Sequence, residues 1–128
     1  MNIKIEISCG EAADKISILR IKEARVTDPA KLANIRRELS SLEQAWRTAI
    51  EDDSHIAGLI VDLQSINERL WDIEDRLRIL EAGRQFDADF VELARQVYIT
   101  NDQRARVKRE INLSLRSDFL EEKQYVEY

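Results

Sequence analysis

The chain has 128 residues, 35% charged and 44% hydrophobic, and a net charge of −5. This balance fits one helical domain over 1–128 and disfavours a sheet protein, a disordered chain and nonspecific nucleic-acid binding, which rests on a positive surface. One cysteine (Cys9) and one histidine (His55) exclude an internal disulfide and a Cys/His zinc site, which takes about four ligands.

Residues 3–7, Ile-Lys-Ile-Glu-Ile, alternate strictly and predict a short strand. Ser8-Cys9-Gly10-Glu11 has the form of a capping box, with the Ser8 hydroxyl accepting from the Glu11 amide and Glu11 reaching back. A first helix is expected over about 10–26, with an apolar stripe of Ala12, Ile16, Leu19 and Val26, widened by Ile18 and Ile21. Asp28 and Pro29 suit the cap and first position of a second helix over about 29–51. Its stripe is Leu32, Ile35, Leu39, Leu42, Trp46 and Ala49.

The third helix, about 54–82, carries the clearest signal. Ile56, Leu59, Leu63, Ile66, Leu70, Ile73, Leu77 and Leu80 alternate spacings of three and four, the repeat of a left-handed coiled-coil seam. Gly83 is a natural stop. The fourth helix, about 87–116, has its seam at Phe86, Phe90, Leu93, Val97, Thr100, Arg104, Val107 and Ile111. The connection from Gly83 to Phe86 is short enough to force an antiparallel hairpin. The tail, about 117–128, is less regular, and Gln124 to Tyr128 can pair with residues 3–7. The longest apolar stretch, 56–61, is interrupted by Gly58 and falls far short of the ~20 residues of a membrane helix. The opening Met1-Asn2-Ile3-Lys4 lacks the apolar core of a secretory leader. A cytoplasmic protein without membrane insertion is therefore expected.

The polar break in the fourth helix, Tyr98 to Arg106, is the most informative irregularity. It predicts a buried polar cluster between helices three and four, with Tyr98, Asn101, Asp102 and Arg106 facing Glu74, Asp75 and Arg78. Such a cluster either binds a small molecule or an anion, or fixes the register of the helices. Glu11, Asp14 and Lys15 read as a cap with solvated charges, although an acid–base pair has the same residues. Arg104, Arg106, Lys108, Arg109 and Arg116 form a local basic stretch that reads as a solvated face. Cys9 has no histidine nearby in sequence to act as its base, and His55 stands at a helix start rather than where a carboxylate-bridged metal bundle needs its ligands. Trp46 and Trp71 read as packing residues. No phosphate loop, nucleophile elbow or HExxH motif is present, so neither a cofactor nor a metal is expected.

Several stretches together resemble a family of short bacterial proteins classed as a domain of unknown function. They are Gly10-Glu11, Asp14-Lys15 and Ile18-Leu19, then 70–76, 93–98 and Asn101-Asp102, then 108–112, Glu121-Glu122-Lys123 and Tyr125. The likeness spans nearly the whole chain. Members often accompany glycosyltransferase or surface-polysaccharide genes, which implies an accessory role there. The family has no assigned catalytic residues to carry over. A weaker likeness, through 66–77 and Phe90-Val91, is to the all-helical chorismate mutases. Their lysine-bearing connection is missing here.

The expected architecture is an all-α antiparallel hairpin bundle of about four helices with coiled-coil-like seams, accompanied by a short β element at the termini. The expected function is a non-catalytic interaction or assembly module, forming a homodimer or binding a protein partner. The alternative is a ligand-binding protein or enzyme using the polar cluster.

Overall fold

A computed structural model describes residues 1–128. The helices are α1 (Cys9–Arg25), α2 (Pro29–Ala49), α3 (Ala57–Ala82) and α4 (Ala88–Ser114), and a single 3₁₀ turn (Ser54–Ile56) leads into α3. The chain folds as an all-α bundle, as its periodicity predicts. No helix is long and apolar enough to cross a membrane.

The helix starts follow from their caps. Ser8 Oγ accepts from the Glu11 amide at 3.1 Å, Asp28 from the Lys31 amide at 2.9 Å and Asp87 from the Phe90 amide at 3.2 Å. Each satisfies one amide that the first helical turn leaves free. Pro29 occupies the first turn of α2. The Glu11 carboxylate does not complete the capping box. It turns instead to Lys108.

The two long helices both stop in a Schellman motif. The Gln85 amide bonds to the Leu80 carbonyl at 2.9 Å, and the Ser117 amide to the Asn112 carbonyl at 2.8 Å. In each case the left-handed position belongs to an arginine, Arg84 (φ 51°) and Arg116 (φ 54°), where glycine is the usual occupant. Gly83 stands one residue earlier, at φ −86°.

α1 packs on α2, α3 and α4, and α3 pairs with α4. One core cluster joins Ala13, Ile56, Leu63 and Ile111, with Trp46, Ile60 and Val107 packed against it. A second joins Ile16, Leu19 and Leu39. The α3 seam is buried at Leu63, Ile66, Leu70 and Leu80, but Ile73 and Leu77 are half-exposed. The reason is geometric. α1 ends at Arg25, whose guanidinium pairs with Asp72 and lies 6.0 Å from the centre of the Trp71 ring. Beyond that point only α3 and α4 continue, for about 15 Å at 1.5 Å per residue. The tip of this hairpin carries the exposed side chains of Ile79, Phe86 and Val91, and Phe86 meets Phe90 edge to face.

The expected β element does not form. Residues 3–6 are exposed, and no backbone hydrogen bond reaches them. The turn at Arg116 sends the C-terminal segment back along α4, away from any ladder with residues 3–7. Glu121, Glu122 and Tyr128 bond there to Lys108, Arg109 and Asp102.

Candidate functional site

The predicted cluster is not one buried set. Glu74, Asp75, Arg78 and Asn101 do share a cleft of about 560 Å³, floored by Ile18, Ile21, Leu70 and Trp71 and joined by Asn67 and Arg104. Glu74, Asp75 and Arg78 are exposed there, and Glu74 faces Arg78 loosely, at 3.9 Å. Tyr98 and Asp102 line a neighbouring cleft with the C-terminal segment, which Asn101 and Arg104 also border. The Tyr98 ring stacks edge-on against Tyr128 at 5.2 Å, and Asp102 accepts from the Tyr128 hydroxyl. Exposed Arg106 lines a separate cleft with Asp62, Ser65 and Arg69. The split follows from helix geometry: positions 98, 102 and 106 are four apart and share one face of α4, whereas 101 and 104 lie on the next.

The polar residues that are buried lie lower in the bundle, where α1 crosses α3 and α4. Asp14 is 4% exposed and Lys108 6%. Lys108 Nζ lies 2.9 Å from Glu11, 2.9 Å from Glu121 and 3.7 Å from Asp14. Asp14 also accepts from Asn67 Nδ2 at 2.9 Å and stands 4.0 Å from the Arg104 guanidinium. Asn67 Nδ2 donates again to Ser17 Oγ at 3.1 Å. Asn112, 2% exposed, accepts from the Gly10 amide at 2.6 Å. Every buried side-chain polar atom has a partner.

Close approach of the backbones makes this crossing possible. A Cβ added at Gly10 would stand 2.5 Å from the Lys108 carbonyl oxygen. Only a glycine lets α1 lie this close to α4, and that closeness places Glu11 and Asp14 within reach of Lys108.

The electrostatics hold charge in place. Burial alone would lower the Lys108 pKa, but hydrogen bonds to Glu11 and Glu121 and the nearby charges of Asp14 and Glu11 raise it above its ordinary value. The hydrogen bond from Lys108 in turn lowers the pKa of Glu11. An ammonium held this firmly protonated is an ion-pair centre, not a neutral amine poised to attack or to take up a proton.

Two sequence readings change here. Glu11 and Asp14 are not simply solvated beside a cap, and the basic stretch is not one solvated face. Lys15 is exposed, as are Arg106 and Arg109, but Asp14 and Lys108 are buried against each other. Periodicity alone does not find this network, because Asp14 and Lys108 are ordinary surface residue types 94 positions apart. A signal was present all the same. The stretches that carry the family likeness contain Gly10, Glu11, Asp14, Lys108, Asn112 and Glu121, and the fold brings these together. Asn67 and Ser17 lie outside those stretches.

A second cavity, about 210 Å³, opens between α1, α2 and α3 over Ala13, Ile16, Trp46 and Ile60. Arg20 and Arg47 at its rim share Glu43 at 3.4 and 3.9 Å.

The chain belongs to a family of unknown function, DUF6165, which matches residues 3–127. No curated protein and no solved structure matches it.

Proposed function

We propose that this family member is an assembly module, completed by a second copy of itself, with no chemistry of its own. One observation carries the reading. The chain exposes 9382 Å², whereas a compact monomer of 14.9 kDa exposes about 7,000 Å². The excess, about 2,400 Å², exceeds the ~800 Å² that each partner of a standard stable interface removes from solvent. It includes exposed apolar side chains at three places: Ile3 and Ile5 ahead of α1, Ile79, Phe86 and Val91 at the hairpin tip, and Tyr125 and Val126 along α4. The surface-polysaccharide setting comes only from the family likeness, and the assembly reading does not depend on it.

Light scattering behind a sizing column, over roughly a thousandfold range of concentration, tests the proposal. The expected result is a dimer that dissociates on dilution and whose melting temperature rises with concentration. A monomer throughout, with a constant melting temperature, overturns it.

A second reading rests on the cleft at Arg78, Asn101 and Arg104. Two guanidiniums beside the Glu74 and Asp75 carboxylates, with an amide and an apolar floor, suit a small molecule that carries both hydroxyls and a charged group. A thermal-shift screen with sugar phosphates, nucleotide sugars and dicarboxylates checks it, since a ligand at 100 times its dissociation constant adds ~2.7 kcal/mol. A hit abolished by Asn101→Ala, with the fold intact, would favour this reading over pure assembly.

A further inference from the structure

We infer that the C-terminal segment, 118–128, is an exchangeable arm: in the dimer its Glu121 completes the Lys108 ion-pair centre of the second copy. The inference rests on the assembly reading and deepens it, by naming the surface and the residue that the second copy contributes.

The arm is held by side chains alone. No backbone hydrogen bond reaches residues 118–128. Its attachments are Glu121 to Lys108 at 2.9 Å, Glu122 to Arg109 at 3.0 Å, and the Tyr128 hydroxyl to Asp102 beside the Tyr98 ring. Its apolar residues gain little from this seat: Phe119 is 51% exposed, Tyr125 73% and Val126 91%. A segment bound this way is tied by ions and left uncovered on its other side.

The surface beneath is a receptor for such a segment. Lys108, Arg109, Arg106 and Asn112 line a cleft of about 200 Å³ into which Glu121 and Glu122 reach. Because this cleft fits the arm of its own chain, it fits the identical arm of another copy with the same contacts. Only two things separate the arrangements, the tether and the hinge. The hinge opens at modest net cost, because the turn hydrogen bonds it gives up, from the Arg116 amide to the Leu113 carbonyl at 3.3 Å and from the Ser117 amide to the Asn112 carbonyl at 2.8 Å, are offset by relief at Arg116. Arg116 sits in the left-handed region at φ 54°, which costs a non-glycine residue energy that an extended chain does not incur. The tether has slack as well. From Arg116 to Glu121 the chain can span up to about 17 Å when extended, while α4 from Lys108 to Ser114 is about 9 Å long. Reciprocal exchange of an identical element is a low-cost route to a closed, two-fold dimer. It also carries Phe119, Tyr125 and Val126 to the subunit boundary, where the excess surface can be buried.

The test uses charge reversal at the exposed Arg109–Glu122 pair, where folding tolerates substitution. Arg109→Glu and Glu122→Arg each place like charges opposite one another in the closed monomer and in the exchanged dimer alike, so each alone should leave the dimer affinity within about twofold of wild type. Mixed in equal amounts, the two variants form a heterodimer in which both pairs are restored between copies while neither closed monomer has its own, so the heterodimer should be about tenfold tighter than either homodimer. A second check places Asp102→Cys and Tyr128→Cys in one Cys9→Ser chain. Mild oxidation should give a covalent dimer on a non-reducing gel. If the protein is a dimer but the mixed heterodimer is no tighter than the homodimers and oxidation links only within one chain, the exchange is overturned and the assembly reading survives. If the protein is a monomer at every concentration, both fall.

Discussion

The amide of Gly10 donates to Oδ1 of Asn112 at 2.6 Å, joining residues 102 positions apart in the chain. A methyl group at Gly10 would press on the Lys108 carbonyl at 2.5 Å and on Asn112 Oδ1 at 2.9 Å. One of those neighbours is backbone and cannot swing aside. Gly10→Ala should therefore destabilise the fold by about 1–3 kcal/mol, read as a lower urea midpoint with an unchanged slope. Gly58→Ala is the control: no atom lies within 4 Å of a Cβ there, and it should not destabilise the fold.

Lys108→Met should be more damaging. It leaves Asp14, whose side chain is 6% exposed, with only the more distant Arg104 at 4.0 Å. Removing one partner of a buried ionic group costs about 3–5 kcal/mol. Adding Asp14→Leu to Lys108→Met should recover part of that loss, because no charge is then stranded. A double variant as unstable as the sum of the singles would show that the two residues do not interact.

Acid should loosen the same centre. The folded-state pKa of Glu11 lies below its ordinary value of 4.5. Its contribution is therefore complete above pH 4.5 and lost as pH falls through the lower folded value. Lys108 is shifted upward from 10.5, so its contribution is complete below that pH and lost only as pH rises through the higher folded value. Urea midpoints should be level between these limits and fall on the acid side. Glu11→Gln should flatten the acid limb, and an unchanged limb would assign the acid sensitivity to other carboxylates.

The two arginines in the left-handed region make a separate forecast. Arg84→Gly should raise stability by about 1 kcal/mol, because glycine takes that conformation without a side-chain clash. Gly83→Ala should be neutral or slightly stabilising, since Gly83 has φ −86° and a Cβ there would meet the Ile79 carbonyl oxygen at an ordinary 3.7 Å. Thermal melts of the two variants distinguish this from the opposite assignment, in which Gly83 holds the turn.

Arg106→Ala should change stability by no more than about 0.5 kcal/mol, because its side chain is exposed and forms no ion pair. A collapse of the fold on this substitution would place Arg106 inside the bundle after all.

Helix number and type were legible in the sequence because the apolar spacing of α2 and α3 has a single reading and the caps at Ser8, Asp28 and Asp87 mark the starts. The strand at 3–7 failed because alternation shows only that a segment suits a sheet. A ladder also needs a neighbour, and the turn at Arg116 takes that neighbour away. Helix position explains the mixed result at the site. Glu74, Asp75, Arg78 and Asn101 meet because they line the cleft where the end of α1 lies against the α3–α4 hairpin. Tyr98, Asp102 and Arg106 were grouped with them by sequence proximity, although a helix spreads neighbours around its circumference. The Asp14–Lys108 contact is set by the crossing of α1 over α4, which one glycine permits and no local pattern announces.

The Lys108 centre also bears on how the chain is made. Asp14 emerges 94 residues before its ammonium partner, about 5 to 20 s earlier at ordinary rates of synthesis. Glu121, the last of its carboxylates, follows Lys108 by 13 residues. Throughout that interval α1 has an apolar face with half its packing partners unmade and an acidic residue that cannot yet be buried. α1 can thus settle on α2 early, but it completes its packing only once α4 has emerged.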